Sequence, residues 1–480
     1  MEIIIGIAVL AGLLWGGWFL WYGHPIDGTL VFMLAMTCFG YYFVHFDLGP
    51  VPLTIDRLLL MFLAAQYGLH RLLGRNDPKP LGWADWFLGA FIAVLVGSLL
   101  TTDATRMLKG DTSPTWRLIT GYLTPLAVYW FVRQAPIDER HVRRVHGCLA
   151  VFGIYLGIIS LLEMAKLWSF VFPTYIADPT VGLHFGRARG PLVQAVSFGH
   201  YIGVALLAAW MWRPTLGRTG QIVLTLLMPL FVAGVLFSFT RSVWMGAAAG
   251  CGLLLLIVLP NAWRGLMIGS GVLAGILLLS TSLESLMGFQ REQSAAETKE
   301  SAELRVSFAY VSWKMFQDRP WLGVGFGGFP IAKLDYLDDR STELEINLLR
   351  PYVHHNTLLS LLTETGAIGL SLFLATLTSW VVIAWRLVRS PLSEPWVRRQ
   401  GLLMLGAVAM YFPQLLFHEM SYSAMDNSLL FLLAGLTVGC SNLVQNANCN
   451  APAISAANPI AIAVTILDQA HGRPSVGLSG

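Results

Sequence analysis

Charge is scarce in this chain: 12% of its 480 residues are Asp, Glu, Lys or Arg, about half the share of an average soluble domain. So little charge cannot cover a water-exposed globule of this size, which excludes an ordinary soluble domain. The net charge of +3 gives no nucleic-acid footprint, because a basic total in a membrane protein mostly reflects loop sorting. Metal-ligand spacing is absent too. Cys38, Cys148, Cys251, Cys440 and Cys449 form no C-x-x-C pair, four of them lie in apolar runs, and they read as packing residues. The first apolar run begins at Ile3 without a basic n-region or a small-residue cleavage site, so it reads as a retained helix and not as a signal peptide. Inspection finds no internal repeat of fixed period.

What the chain has instead is apolar length. With 55% hydrophobic residues, runs of roughly 18 to 22 residues give about thirteen candidate spans. They centre near residues 12, 38, 63, 93, 125, 156, 204, 230, 252, 273, 377, 410 and 436. The expected fold is all-α, a polytopic transmembrane helical bundle of about 12 to 13 spans. It divides into transmembrane helices over 1–281, a long loop over 282–356, transmembrane helices over 357–445, and a weakly ordered cytoplasmic tail over 446–480. In that tail the apolar run from Ile460 to Leu467 is too short to span.

Basic residues orient the bundle, since they collect in cytoplasmic loops. With the N-terminus outside, those loops carry Arg71, Arg75, Lys79, Arg133, Arg140, Arg143, Arg144, Arg213, Arg218, Arg264, Arg386, Arg389, Arg398 and Arg399. The opposite face is poorer in them and keeps Arg57, Arg106, Lys109, Arg117, Arg187, Arg189 and Arg241. The long loop faces the same way. Its Glu292 to Lys314 stretch turns amphipathic, with Leu304, Phe308, Val311 and Met315 at helical spacing, and Pro320 and a glycine cluster stop it.

The loop leads into Arg350-Pro351-Tyr352-Val353-His354-His355-Asn356. Asn356 can cap the next helix, whose leucines 358, 359, 361 and 362 make an apolar face while Thr357, Ser360 and Glu364 make a polar stripe. Gly366 lets that helix end or kink. His355 thereby stands at the mouth of a membrane helix. The other outward histidines, His45, His184, His200 and His418, lack such company in the sequence, and the spans read as nearly free of charge.

Two strings invite functional readings. Gly323-Val-Gly325-Phe-Gly327-Gly328 satisfies G-x-G-x-x-G, but a helical stretch precedes it and Phe329-Pro330 follows. A dinucleotide loop needs a strand before and a helix after, so this one reads as a tight turn. Arg187, Arg189 and Arg241 stand at outer span ends, where a snorkelling arginine is ordinary. On a face depleted of basic residues, forked guanidinium groups also suit phosphate oxygens. Arg305 follows Glu297, Glu300 and Glu303 and can simply pair with them. Arg57 can likewise be neutralised by Asp56.

His355-Asn356, nine residues, then Gly366-x-x-Gly369 resembles the signature of bacterial O-antigen ligases. Thr240-Arg241-Ser242, the helix led by Arg305, and Arg319 to Gly325 resemble the wider O-antigen ligase and polymerase superfamily. The resemblance implies a C-type glycosyltransferase-like fold in the bacterial inner membrane, with the active site and the long loop facing the periplasm. It implies transfer, with inversion, of a glycan from undecaprenyl diphosphate to an acceptor hydroxyl on lipid A core. His355 would be the general base and Arg241 and Arg305 the clamp on the diphosphate; Arg187, Arg189, Arg57 and Asn356 are the further substrate-binding positions. No cofactor and no metal are expected, although Asp335, Asp338 and Asp339 leave a cation open on chemistry alone. Partners would be the lipid-linked donor, a glycan or lipid A core acceptor and membrane lipids. An O-antigen or exopolysaccharide polymerase of the same superfamily is the neighbouring alternative, and a flippase for a lipid-linked glycan is the one from a different class.

Overall fold

The computed structural model describes residues 16–47, 52–102, 112–261, 263–265, 295–339 and 341–450, with 295–302 and 445–450 as backbone only. Among them the only strands are His45–Phe46 (β1) and Leu53–Thr54 (β2), an antiparallel pair. The helices are α1 (Pro25–Cys38), α2 (Ile55–Leu72), α3 (Trp83–Leu100), α4 (Pro114–Leu118), α5 (Thr124–Gln134), α6 (Glu139–Met164) and α7 (Ala195–Trp212). They continue with α8 (Arg218–Phe237), α9 (Arg241–Val258), α10 (Ala295–Asp318), α11 (Phe329–Ala332), α12 (Thr357–Arg389), α13 (Pro395–Phe417) and α14 (Ala424–Asn450).

Eight of these, α3, α6, α7, α8, α9, α12, α13 and α14, are long and apolar enough to cross a membrane. The chain is a multi-pass membrane protein. The expected count of about thirteen differs for physical reasons. Candidates near 12 and 273 lie outside the described residues. Three more are helices of another kind: α1 has only 14 residues, α2 carries Asp56, Arg57, Gln66, His70 and Arg71, and a π turn at Ile119–Leu123 separates α4 from α5.

The core forms where α14 packs on α5, α13 on α9 and α12, and α7 on α6. From Asp426 to Cys440 every residue of α14 is buried, as expected of a helix that is apolar all round. By contrast α8 and α9 bury only a few positions each, Leu224, Phe231, Gly234 and Val235 in α8 and Ser242, Val243, Gly246, Gly250 and Leu254 in α9. Their remaining apolar faces are left for lipid.

A second, smaller core lies in the loop. Phe308, Val311 and Met315 of α10 pack with Phe329, Leu337, Ile346 and Leu349, with Leu304 against them. The helical spacing read in the sequence is therefore the buried face of α10.

The spans are not nearly free of charge, contrary to expectation. Asp85 in α3 accepts from Arg133 at 2.6 and 2.8 Å and from Tyr129 at 2.7 Å. Glu163 in α6 accepts the backbone N–H of Gly190 at 3.1 Å. Asp426 in α14 lies 2.7 Å from Nδ1 of His200, and Glu364 lies in α12. Isolated acids inside long apolar runs leave the hydropathy intact. Each is tolerable because it is paired or hydrogen-bonded.

Candidate active site

The site is assembled at the head of α12. Asn356 caps that helix, its Oδ1 accepting the Leu359 N–H at 2.9 Å, an arrangement worth about 1 kcal/mol. Its Nδ2 donates to the carbonyl of Leu416 at 2.9 Å, so both ends of the amide are engaged. The two preceding histidines diverge. His354 is buried, its ring centroid 3.6 Å from that of Phe329 in a tilted arrangement, with Nε2 3.1 Å from the Thr363 hydroxyl. His355 is exposed and stands edge-on to Phe308 at 5.6 Å, with Tyr352 at 6.0 Å. Although part of the ring is open to solvent, this crowding and the nearby Arg305 hold the imidazole below the ordinary histidine pKa, with Glu419 acting in the opposite sense.

Two turns into α12, Gly366 breaks the helical dihedrals with φ 66° and ψ −167°. The glycine-rich loop docks there: Val324 and Gly325 N–H donate to the carbonyls of Thr363 and Glu364, each at 2.9 Å, and Ala367 N–H donates to Pro320 at 2.8 Å. A Cβ on Gly366 would lie 2.3 Å from the Trp321 backbone, and one on Gly323 2.4 Å from the Thr363 carbonyl oxygen. The G-x-G-x-x-G string is thus a close backbone-to-backbone junction, in line with the tight turn read from its context. The glycines of the His-Asn-Gly-Gly signature shape the frame behind the histidine.

The end of α13 closes the site from the other side. The carbonyl of His418 accepts the Thr357 N–H at 3.2 Å and its hydroxyl at 2.8 Å, and Met420 N–H donates to that hydroxyl at 2.8 Å. Nε2 of His418 is 2.9 Å from the Ser242 hydroxyl, which ties in the start of α9 just after Arg241. The Phe417 ring carries the Arg305 guanidinium at 5.2 Å. Arg305 is in turn held below its ordinary pKa by partial burial and by Arg241, so these two cations share one field. His418 is pushed down to about 4 by burial, then by His355, His184 and Arg305. The sequence reading that left His200 and His418 without company is corrected here, because Nε2 of His418 meets the Ser242 hydroxyl and Nδ1 of His200 meets Asp426.

The remaining arginines divide by environment. Arg187 donates to the Phe239 carbonyl at 3.3 Å, beside the start of α9. Arg189 is 1% exposed; its guanidinium donates to the carbonyls of Val181, Ile176 and Asp178 and lies over the Phe185 ring. It therefore organises its own loop. Arg57 donates to the Pro52 carbonyl and lies 4.5 Å from the Trp116 ring centroid.

Sequence reasoning missed the group beneath the histidines. Arg117, 3% exposed, sends one guanidinium nitrogen to both oxygens of Glu364 at 2.9 Å. Its other nitrogens reach Ser360 at 2.9 Å, Ser421 at 2.5 Å and Glu419 at 3.4 Å. Arg117 was visible as an outward basic residue and Glu364 as part of a polar stripe. No spacing links either to Glu419, more than fifty residues beyond.

Among the described residues no group of three or more His, Cys, Asp or Glu side chains is placed to hold a metal. Asp339 is engaged by Tyr310 and Ser341 at 2.8 Å and by Lys314 at 3.6 Å.

Arg241, Arg305 and His355 fall within one matched stretch. Residues 223–374 match the O-antigen ligase family model. That match bears out the resemblance to the O-antigen ligase superfamily, and it supports a membrane enzyme of the ligase and polymerase type. Among curated proteins, none matches the chain. The matched stretch holds His355, Asn356, Gly366 and Gly369, while Arg117, Arg187, Arg189, His418 and Glu419 come from outside it.

Proposed function

We propose that the protein is a ligase-type glycosyltransferase of the bacterial inner membrane, moving a glycan from undecaprenyl diphosphate to an acceptor hydroxyl, on lipid A core, at the periplasmic face. The observation that carries this reading is an exposed histidine, His355, held below its ordinary pKa by burial and by Arg305, which in turn shares a field with Arg241. A neutral imidazole takes the acceptor's proton as that oxygen attacks the anomeric carbon. The bond from that carbon to the diphosphate oxygen breaks, and Arg241 and Arg305 stabilise the charge on the departing diphosphate. Direct displacement inverts the anomeric centre. Arg187, hydrogen-bonded beside the start of α9, extends the clamp. Arg189 and Asn356 support it by holding the loop and the helix head in place, and Arg57, over the Trp116 ring, is the remaining proposed substrate-binding position.

The experiment pairs purified protein with a lipid-diphosphate-linked glycan donor and several acceptors. His355→Ala is expected to lower transfer about 10² to 10⁴-fold while donor binding persists. His354→Ala, which removes a ring packed on Phe329, is expected to act through stability with milder loss of transfer. Equal damage from both variants in folded protein refutes the base assignment, and product appearing only on lipid-linked acceptors would make the protein a polymerase.

A further inference from the structure

We infer that the groove between α1 and α6 is a binding site for an anionic phospholipid of the leaflet away from His355. One acyl chain lies in the groove and the phosphate sits on Arg143, with Arg144 beside it. The inference is independent of the transfer reaction proposed above.

Helix packing makes the groove. At one end of α6 the His24 and His141 rings stack with centroids 3.7 Å apart, and Arg144 donates to Asp27 at 2.8 Å. At the other end Tyr155 donates to the Phe172 carbonyl at 2.6 Å, and Tyr175 donates to the Cys38 carbonyl at 3.1 Å. Between these ties lies a cavity of about 700 Å³. Leu34 and Val151, both exposed, line its outer side, and Tyr201 and Leu432 line it toward the core. A close-packed interior does not leave so large a space. Water does not suit it either, because the walls are almost wholly apolar and a buried water needs two to four polar partners. From Arg143 to Tyr155 is twelve residues, about 18 Å along a helix, slightly more than half of a hydrocarbon core about 30 Å thick. The groove therefore has the length of one leaflet's acyl chain.

The leaflet follows from the helix ends. Glu163, near the last turn of α6, accepts the Gly190 N–H, and Ser197 at the start of α7 lies 2.8 Å from Ser423, on the segment that clamps Thr357. Arg143, in the first turns of α6, is thus at the far end from His355. The headgroup follows from charge. The acids at this end of α1 and α6 are engaged within the protein: Asp27 with Arg144, Asp138 with the His141 N–H at 2.9 Å, and Glu139 with Arg399 at 3.9 Å. Arg143 lines the groove and makes no hydrogen bond or ion pair among the described residues. Its planar fork suits phosphate oxygens, and a basic residue at the membrane surface favours an anionic lipid over a zwitterionic one. Trp212 lines the same end, packed on Gly147, where a Cβ would lie 3.0 Å from its ring; tryptophan is enriched at headgroup level.

The test titrates delipidated full-length protein in micelles with phosphatidylglycerol and with phosphatidylethanolamine of the same acyl chains, read by native mass spectrometry. A phosphatidylglycerol with a photoreactive diazirine on one acyl chain then locates the site by peptide mapping. Phosphatidylglycerol is expected to bind more tightly, with crosslinks on 30–39 and 147–155. Arg143→Gln should lower that preference about fivefold, and Arg143→Lys should keep most of it. Val151→Trp fills the groove from an exposed position and should weaken binding of both lipids and remove the crosslinks; Leu34→Trp is its equivalent on α1 if Val151→Trp does not accumulate. Equal binding of the two lipids by the wild type, or a preference unmoved by Arg143→Gln, overturns the anionic headgroup. Crosslinks elsewhere, or crosslinks that survive both tryptophan variants, overturn the groove. A polyprenyl diphosphate that co-purifies with the wild type and is lost from Val151→Trp would make the groove a donor-tail site and overturn the phospholipid.

Discussion

Arg117→Met is the most searching perturbation of the frame beneath the site. It replaces a cation 3% exposed by an apolar chain and leaves Glu364 and Glu419, 1% and 3% exposed in their side chains, facing one another. Removing one partner of a buried ion pair costs about 3 to 5 kcal/mol. Here one guanidinium serves two carboxylates and two hydroxyls, which places the loss at the upper end, near 5 kcal/mol, with water entry and side-chain rearrangement setting the limit. The assay is unfolding in mixed micelles of rising SDS fraction, followed by circular dichroism. Arg117→Met/Glu364→Gln removes one of the stranded charges and should recover about 2 kcal/mol, a non-additive result expected only of direct partners. The reasoning is refuted if Arg117→Met lies within about 0.5 kcal/mol of wild type, or if the double variant shows the sum of the single losses.

Arg241→Lys keeps the charge but loses the planar fork, so transfer should fall severely at normal membrane levels; unchanged activity would make Arg241 a helix-start residue only. Gly366→Ala puts a Cβ 2.3 Å from the Trp321 backbone at a φ of 66°, costing at least about 1 to 3 kcal/mol in strain; a variant with wild-type stability in the same SDS titration refutes the docked kink. Because crowding and Arg305 lower the His355 pKa, its neutral form should persist below the ordinary midpoint of about 6.5. The acid limb of kcat/KM should therefore lie below that pH, and a limb above it argues against His355 as the base.

Much of the architecture was legible because lipid leaves few choices. A segment of about 20 apolar residues must satisfy its own backbone and so becomes a helix; the spans centred near 93, 156, 204, 230, 252, 377, 410 and 436 follow from that alone. The cap at Asn356, the break at Gly366 and the buried face of α10 were also readable, since each depends on local spacing. Tertiary structure decided everything that joins distant segments. Only folding brings Arg117, Glu364 and Glu419 into one buried cluster, sets His418 against Ser242 and Thr357, and turns His354 inward while His355 faces out. Hydropathy cannot reveal such pairs: one acid in a long apolar run barely changes the mean, and its partner, which makes burial tolerable, lies on another helix at no fixed distance along the chain.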